Sequence, residues 1–150
     1  MAVKHNKIRA ASRPLSDSTE DHLERIADFV ERKGYARVTD VAEELGLTAS
    51  TVSNMVRRLA GRGLLSYERY RGFNLTAEGR AVAARIKERH KALTELLGLL
   101  GLEEKTVAAE VEDMEHHLRP KTLALLEKLV GFWKSHPKQL QLFRQFAKQK

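Results

Sequence analysis

Apolar residues recur every three or four positions along most of this chain, and the rhythm changes to alternation in one place. Leu23, Ile26, Ala27 and Val30 fall at i, i+3, i+4 and i+7, which predicts an amphipathic helix from about Ser18–Thr19 to Gly34. Glu20 and Asp21 suit the positive end of that helix. Val41, Ala42 and Leu45 predict a short second helix, capped by Thr39 or Asp40 and stopped by Gly46. A third, opened by Thr48 and running to about Gly61, turns Val52, Met55, Val56 and Leu59 inward. Gly46-Leu47-Thr48 between them has the form of a helix-turn-helix turn. The period then switches. Leu64–Glu68 and Gly72–Leu75 read as two short strands, with Arg69, Tyr70 and Arg71 at the hairpin tip. A helix-turn-helix followed by a hairpin is a winged helix.

From Thr76 the helical rhythm returns. A long helix is expected over 77–100, with Val82, Ile86, Leu93, Leu96, Leu97 and Leu100 inward, and Gly101 breaks it. A fifth helix is expected over Glu103–Leu118, a Leu-rich one from Pro120 through Trp133, and a last amphipathic segment after Pro137. The predicted fold is mostly α. A flexible tail is expected over 1–17, a winged helix-turn-helix over 18–76, and a second helical domain over 77–150. The second half carries more Leu and aromatic surface than one small domain needs. Such an excess points either to an oligomer interface or to an internal core.

Composition narrows the classes. With 42% hydrophobic and only 6% aromatic residues, the 150-residue chain suits helix packing. It has no cysteine, which excludes disulfides, thiolate catalysis and sulfur metal sites. A net charge of +7 favours a polyanionic partner. Lys4, His5, Lys7, Arg9 and Arg13 make the expected tail basic, able to touch phosphate non-specifically. No apolar run reaches the ~18 residues of a membrane span, and no secretory h-region is visible, so a cytoplasmic protein is expected.

The candidate chemistry lies on helix faces. Glu112, Glu115 and His116 are spaced i, i+3, i+4 and project from one side of an α-helix, about 120° from its apolar face. Two carboxylates and an imidazole are part of a metal site. Asp21 and Glu24, also i, i+3, flank the core stripe of the first helix by a similar angle, and His90 edges the apolar face of the long one. Taken alone, Asp21 and Glu24 also read as a solvated helix face, and His90 as a structural histidine. Together they offer four carboxylates and two imidazoles, enough for a pair of ions sharing carboxylates. On the third helix, Thr48, Ser50, Thr51 and Asn54 lie at the N-terminal end that a recognition helix brings to base edges. Arg57 and Arg58 suit phosphates, and Arg69 and Arg71 suit backbone or minor groove.

With these motifs in order, the chain resembles the manganese-transport regulators within the DtxR-type metal-dependent repressors. The resemblance covers about 18–135. It is carried by Glu20-Asp21-x-x-Glu24, Gly34-Tyr35-Ala36-Arg37-Val38, Val52-Ser53-x-Met55-Val56 and Tyr67-Glu68-x-Tyr70-Arg71-Gly72. Leu75-Thr76-x-x-Gly79, Arg89-His90 and Val111-Glu112-x-x-Glu115-His116-His117-Leu118 complete it. The resemblance implies Asp21, Glu24, His90, Glu112, Glu115 and His116 as metal ligands. Carboxylates at 21 and 112, where iron-responsive members typically place Met and Cys, imply Mn2+ as the ion, two per subunit. Ferrous iron, cobalt, cadmium or zinc are expected to bind as well. It also assigns dimerisation and metal sensing to 77–150, and implies a homodimer on a palindromic operator, repression of metal-uptake genes, and no enzymatic activity. Two other classes compete: a metal-independent winged-helix sensor of a small molecule, and a di-metal hydrolase.

Overall fold

The computed structural model describes residues 15–68 and 70–149. Residues 1–14 of the basic tail expected over 1–17, and the wing residue Arg69, lie outside the described residues. The chain forms two compact units, one ending at Ile86 and the next beginning at Lys87. Secondary structure is helical apart from one two-stranded hairpin among the described residues.

The first unit is a winged helix. Helix α1 (Asp17–Lys33) buries Leu23, Ile26, Ala27 and Val30, the expected stripe, and adds Phe29 and Thr19. It begins slightly before the expected Ser18–Thr19 start, and the Ser16 and Thr19 hydroxyls share a hydrogen bond of 2.7 Å. Helix α2 (Val38–Leu45) also starts earlier than expected: Arg37 occupies the cap position, and neither Thr39 nor Asp40 caps it. Gly46, at φ 63°, makes the turn into α3 (Ala49–Gly61), a conformation that L side chains rarely adopt. Thr48 caps α3 as expected, its hydroxyl accepting from the Thr51 N–H at 3.1 Å.

The hairpin pairs β1 (Leu65–Glu68) with β2 (Gly72–Leu75), in antiparallel register Leu65 to Leu75 and Glu68 to Gly72. Its root is tied to the helices. Ala36 and Phe73 exchange backbone hydrogen bonds of 3.0 and 2.8 Å. Gly72 lies so close to that contact that a Cβ there would sit 2.2 Å from the Ala36 carbonyl oxygen. The core runs from Leu23 and Ile26 through Val52, Val56, Leu59 and Phe73 to Ala83 and Ile86.

Those last two residues belong to α4 (Ala77–Leu100), which the Thr76 hydroxyl opens by accepting from the Gly79 N–H at 2.9 Å. The first turns of α4 therefore pack with the winged helix, and its later turns belong to the second unit. There, Leu93 and Leu97 pack with Val107 and Val111 of α5 (Glu104–Met114). Leu126 of α6 (Pro120–Ser135) joins the edge of that cluster. Helix α7 (Pro137–Ala147) is held by Arg144, which donates to the Leu99 carbonyl at 2.8 Å, one of the free carbonyls at the end of α4. Trp133 and Phe143 bring their rings to 5.4 Å.

The expected fifth helix does not run to Leu118. It stops at Met114, and Glu115–His117 tighten into a 3-10 turn. Pro120 accounts for the break. A residue before proline avoids the α region, and both Leu118 and Arg119 are extended, so the preceding turn closes in the tighter form.

Candidate metal centre and DNA-reading surface

That tightening changes the geometry expected for Glu112, Glu115 and His116. They do not all lie on one α-helix: Glu112 is on α5, and Glu115 and His116 are in the 3-10 turn that follows. Glu112, on α5, is exposed, whereas Glu115 turns inward and is only 1% exposed. The Glu115 carboxylate lies 2.9 Å from His90 Nδ1, and its other oxygen lies 3.8 Å from His116 Nε2. A Glu112 oxygen and a His116 ring nitrogen come within 4.8 Å of each other. A carboxylate this buried needs cationic or hydrogen-bonding compensation. When His90 Nδ1 carries the proton it donates to Glu115, which fixes the ring and leaves the Nε2 lone pair available to a cation. Two carboxylates and two imidazoles with no thiolate suit a hard to borderline divalent ion. The second unit alone thus brings together four of the six expected ligands.

The other two, Asp21 and Glu24, stand half-buried on α1 in the first unit. Between them, His22 has its pKa lowered, first by burial and then by the nearby Arg25 and Arg58, against the opposing pull of Asp21. His117 turns away from the cluster, its Nδ1 3.2 Å from the Asp113 carbonyl.

The expected DNA-reading residues of α3 are all on its solvent side. Ser50, Thr51, Asn54, Arg57 and Arg58 are exposed, and Val52, Met55, Val56 and Leu59 face the core. The amphipathic period alone produces this division. Two features were not visible in the spacing. Thr48 commits its hydroxyl to capping and lies 2.8 Å from the Thr51 hydroxyl. Arg57 donates to the Asn54 side-chain carbonyl at 3.2 Å, so the two act as one hydrogen-bonded unit. That pairing orients Asn54 and leaves its amide N–H groups pointing to other acceptors. Arg71 is exposed on the hairpin.

Comparison with known proteins agrees with both halves of this description. Residues 14–73 match the family described as iron dependent repressor, N-terminal DNA binding domain. Residues 76–143 match iron dependent repressor, metal binding and dimerisation domain. The chain is 38% identical over 127 residues to the HTH-type transcriptional regulator MntR of Listeria welshimeri, covering 85% of this chain and 89% of that one. It is 39% identical over 120 residues to MntR of Lysinibacillus sphaericus, covering 80% and 86%. Among solved structures, it is similar to the metal-dependent transcriptional regulator MtsR, with TM-score 0.68, 26% identity, and 76% and 54% of the two chains covered. A manganese-dependent transcriptional repressor in complex with manganese gives TM-score 0.58 at 28% identity, over 76% and 53%. This chain spans about half the length of those structures. A winged helix with an exposed polar face on α3, followed by a helical unit with an acid–histidine cluster around a buried Glu115, therefore belongs to the iron-dependent repressor family, among the MntR-type transcriptional regulators.

Proposed function

We propose that this regulator binds operator DNA as a homodimer when Mn2+ occupies a site formed by Asp21, Glu24, His90, Glu112, Glu115 and His116. The observation that carries the reading is Glu115, a nearly inaccessible carboxylate set between two imidazoles. Bound at these residues, a divalent ion supplies the positive charge that four carboxylates and two imidazoles lack. The residues do the rest. His90 is oriented by Glu115, and Glu112 and His116 present donor atoms within 4.8 Å of each other. Asp21 and Glu24 bring two further carboxylates on α1, the helix whose opposite face packs against the DNA-reading unit's core. With six donors, two ions per subunit sharing carboxylates is the stoichiometry that fits. Mn2+ is the weakest binder among the first-row divalent ions, so selectivity comes from oxygen-rich donors and geometry; iron, cobalt, cadmium and zinc also bind.

Asp21 and Glu24 on α1 would hold the ion together with the second unit's donors, and the positive charge it would supply would relieve carboxylate repulsion that otherwise leaves α1 loose, fixing the separation of two recognition helices. Those helices then meet successive major-groove segments of a palindrome. Asn54 reads an adenine edge, Ser50 and Thr51 contact phosphate or thymine, and Arg57, Arg58, Arg69 and Arg71 contact backbone. The dimer partner covers the apolar surface of α6 and α7, where Leu125, Phe132, Leu142 and Phe146 remain exposed on the single chain. The protein acts in the cytoplasm as a repressor of metal uptake, a regulator and not an enzyme. No helix among the described residues is long and apolar enough to cross a membrane.

The test is a titration of the protein against promoter DNA with Mn2+ and with chelator. Affinity is expected to rise with Mn2+, and Mn2+ affinity to rise equally with DNA, since coupling is reciprocal. Equal affinity in both conditions sinks the metal switch and leaves the small-molecule sensor. Asp21→Met is expected to weaken the manganese response and shift ion preference towards iron; an unchanged metal profile removes Asp21 from the ligand set.

A further inference from the structure

Tyr70 combines backbone strain with exposure. Among the described residues it is the one non-glycine residue with positive φ, 66°. It stands at the hairpin tip, in a turn closed by the Arg71 N–H donating to the Glu68 carbonyl at 3.1 Å. Turns of this kind favour Gly or Asn at such a position, because a Cβ there crowds the backbone. Yet the side chain present is a large aromatic that is 86% exposed, ahead of even Phe146 at 71%. The fold gains little from burying this ring and meets a strained dihedral to hold it. Strain held at an exposed tip is a pointer to function.

The root of the hairpin supports that reading. The paired backbone bonds of Ala36 and Phe73 and the close approach of Gly72 to Ala36 fix it. Asn74 adds a third tie, its amide donating to the Gly34 carbonyl at 3.1 Å. The tip is thus presented from a fixed base, and a tyrosine with two side-chain torsions loses little entropy on contact. Its surroundings select the partner: exposed Arg71 is adjacent, the chain carries +7, and the reading face of α3 belongs to the same unit.

We infer that Tyr70 is a DNA-reading residue whose ring enters the minor groove at the operator's flank. The walls of that groove are deoxyribose, an apolar match for the ring face. Its floor carries adenine N3 and thymine O2, acceptors for the phenol O–H. The assignment rests on the operator-binding reading above.

The experiment uses the full-length protein, Mn2+, and the duplex that the parent protein selects from a randomised library. Tyr70→Gly relieves the positive φ, so its melting temperature stays equal or rises. Its affinity for the selected duplex falls about tenfold, the scale of losing much of one aromatic's buried area. The salt slope stays the same, because no phosphate contact is lost. Hydroxyl-radical footprinting shows flanking deoxyriboses protected by the parent and exposed with Tyr70→Gly. Tyr70→Phe retains most of the affinity and the protection. Affinity of Tyr70→Gly within about twofold of the parent, or an unchanged footprint, overturns the assignment of Tyr70 alone. Failure of the parent to select any duplex overturns the operator-binding reading together with it.

Discussion

Glu115 shows how much one side chain depends on its surroundings. In sequence it is one of two acids in a Glu-x-x-Glu-His string; folded, it is a 1% exposed carboxylate held between His90 and His116. Glu115→Gln preserves volume and a hydrogen bond to His90 but removes the charge. Calorimetry with and without Mn2+ checks its role. The parent is expected to gain about 2.7 kcal/mol at a metal concentration one hundred times Kd, and the variant far less. An equal gain in both removes Glu115 from the site. Glu95 provides a contrast at the surface. Its pKa is lowered by the hydrogen bond from Lys134, 2.7 Å away, and by that charge. A depressed carboxylate stabilises the fold above its unfolded value, and the contribution disappears as pH falls through the lower folded value. Glu95→Gln should thus lower the melting temperature slightly at neutral pH, with the difference closing below 4.5, the ordinary value. The pair is exposed, and screening keeps the effect small. A difference that persists at pH 3 would show that packing, not charge, is responsible.

At the scale of elements, α3 and the hairpin depend on two local devices. Thr48 caps α3 through the Thr51 N–H, so Thr48→Ala is expected to cost about 1 kcal/mol in denaturant unfolding. If DNA affinity falls much more than stability does, Thr48 also touches DNA. Gly72 has positive φ and no room for a Cβ beside Ala36, so Gly72→Ala is expected to cost more than about 1 kcal/mol and loosen the wing. Hydrogen exchange at Ala36 and Phe73 would report that loosening; unchanged protection there contradicts the close-approach argument. The helices that carry long apolar stripes, α1, α3 and α4, were legible in sequence because each buries one face, α1 and α3 on the first core and α4 on both cores. Their boundaries were less so. Neither the early start of α2 nor the 3-10 turn at Glu115 is encoded in apolar period. The first depends on Arg37 being extended, and the second on the extended backbone of Leu118 and Arg119 before Pro120.

At the scale of the molecule, the Leu-rich second half resolves into a small buried cluster and a large uncovered surface. Leu93, Leu97, Val107 and Val111 are buried, whereas Leu125, Leu129, Phe132, Leu142, Phe143 and Phe146 stay exposed. The excess apolar content expected from sequence is therefore not consumed by the chain's own core. A surface of this kind needs a cover in water. Leu129→Glu with Phe132→Glu is expected to convert dimer to monomer in sedimentation while leaving helix content unchanged. A variant that remains dimeric would place the interface on another surface.

Sequence by itself determined the winged helix, the helical second half and a set of candidate donor residues, because period, turn residues and side-chain chemistry are local properties. It also determined the residue types that disfavour a thiolate-rich iron site, since no cysteine exists anywhere in the chain. Tertiary structure decided which donors are buried and which are oriented. Glu115 and His90 stand 25 positions apart, and no spacing rule places them at 2.9 Å. It also decided that Asn54 and Arg57 work as a pair and that Tyr70 occupies a strained, exposed tip. Those outcomes depend on how the helices pack, how the chain ends a turn before proline, and where the hairpin is pinned. Each is a contact or a dihedral, which the order of residues constrains only through the fold.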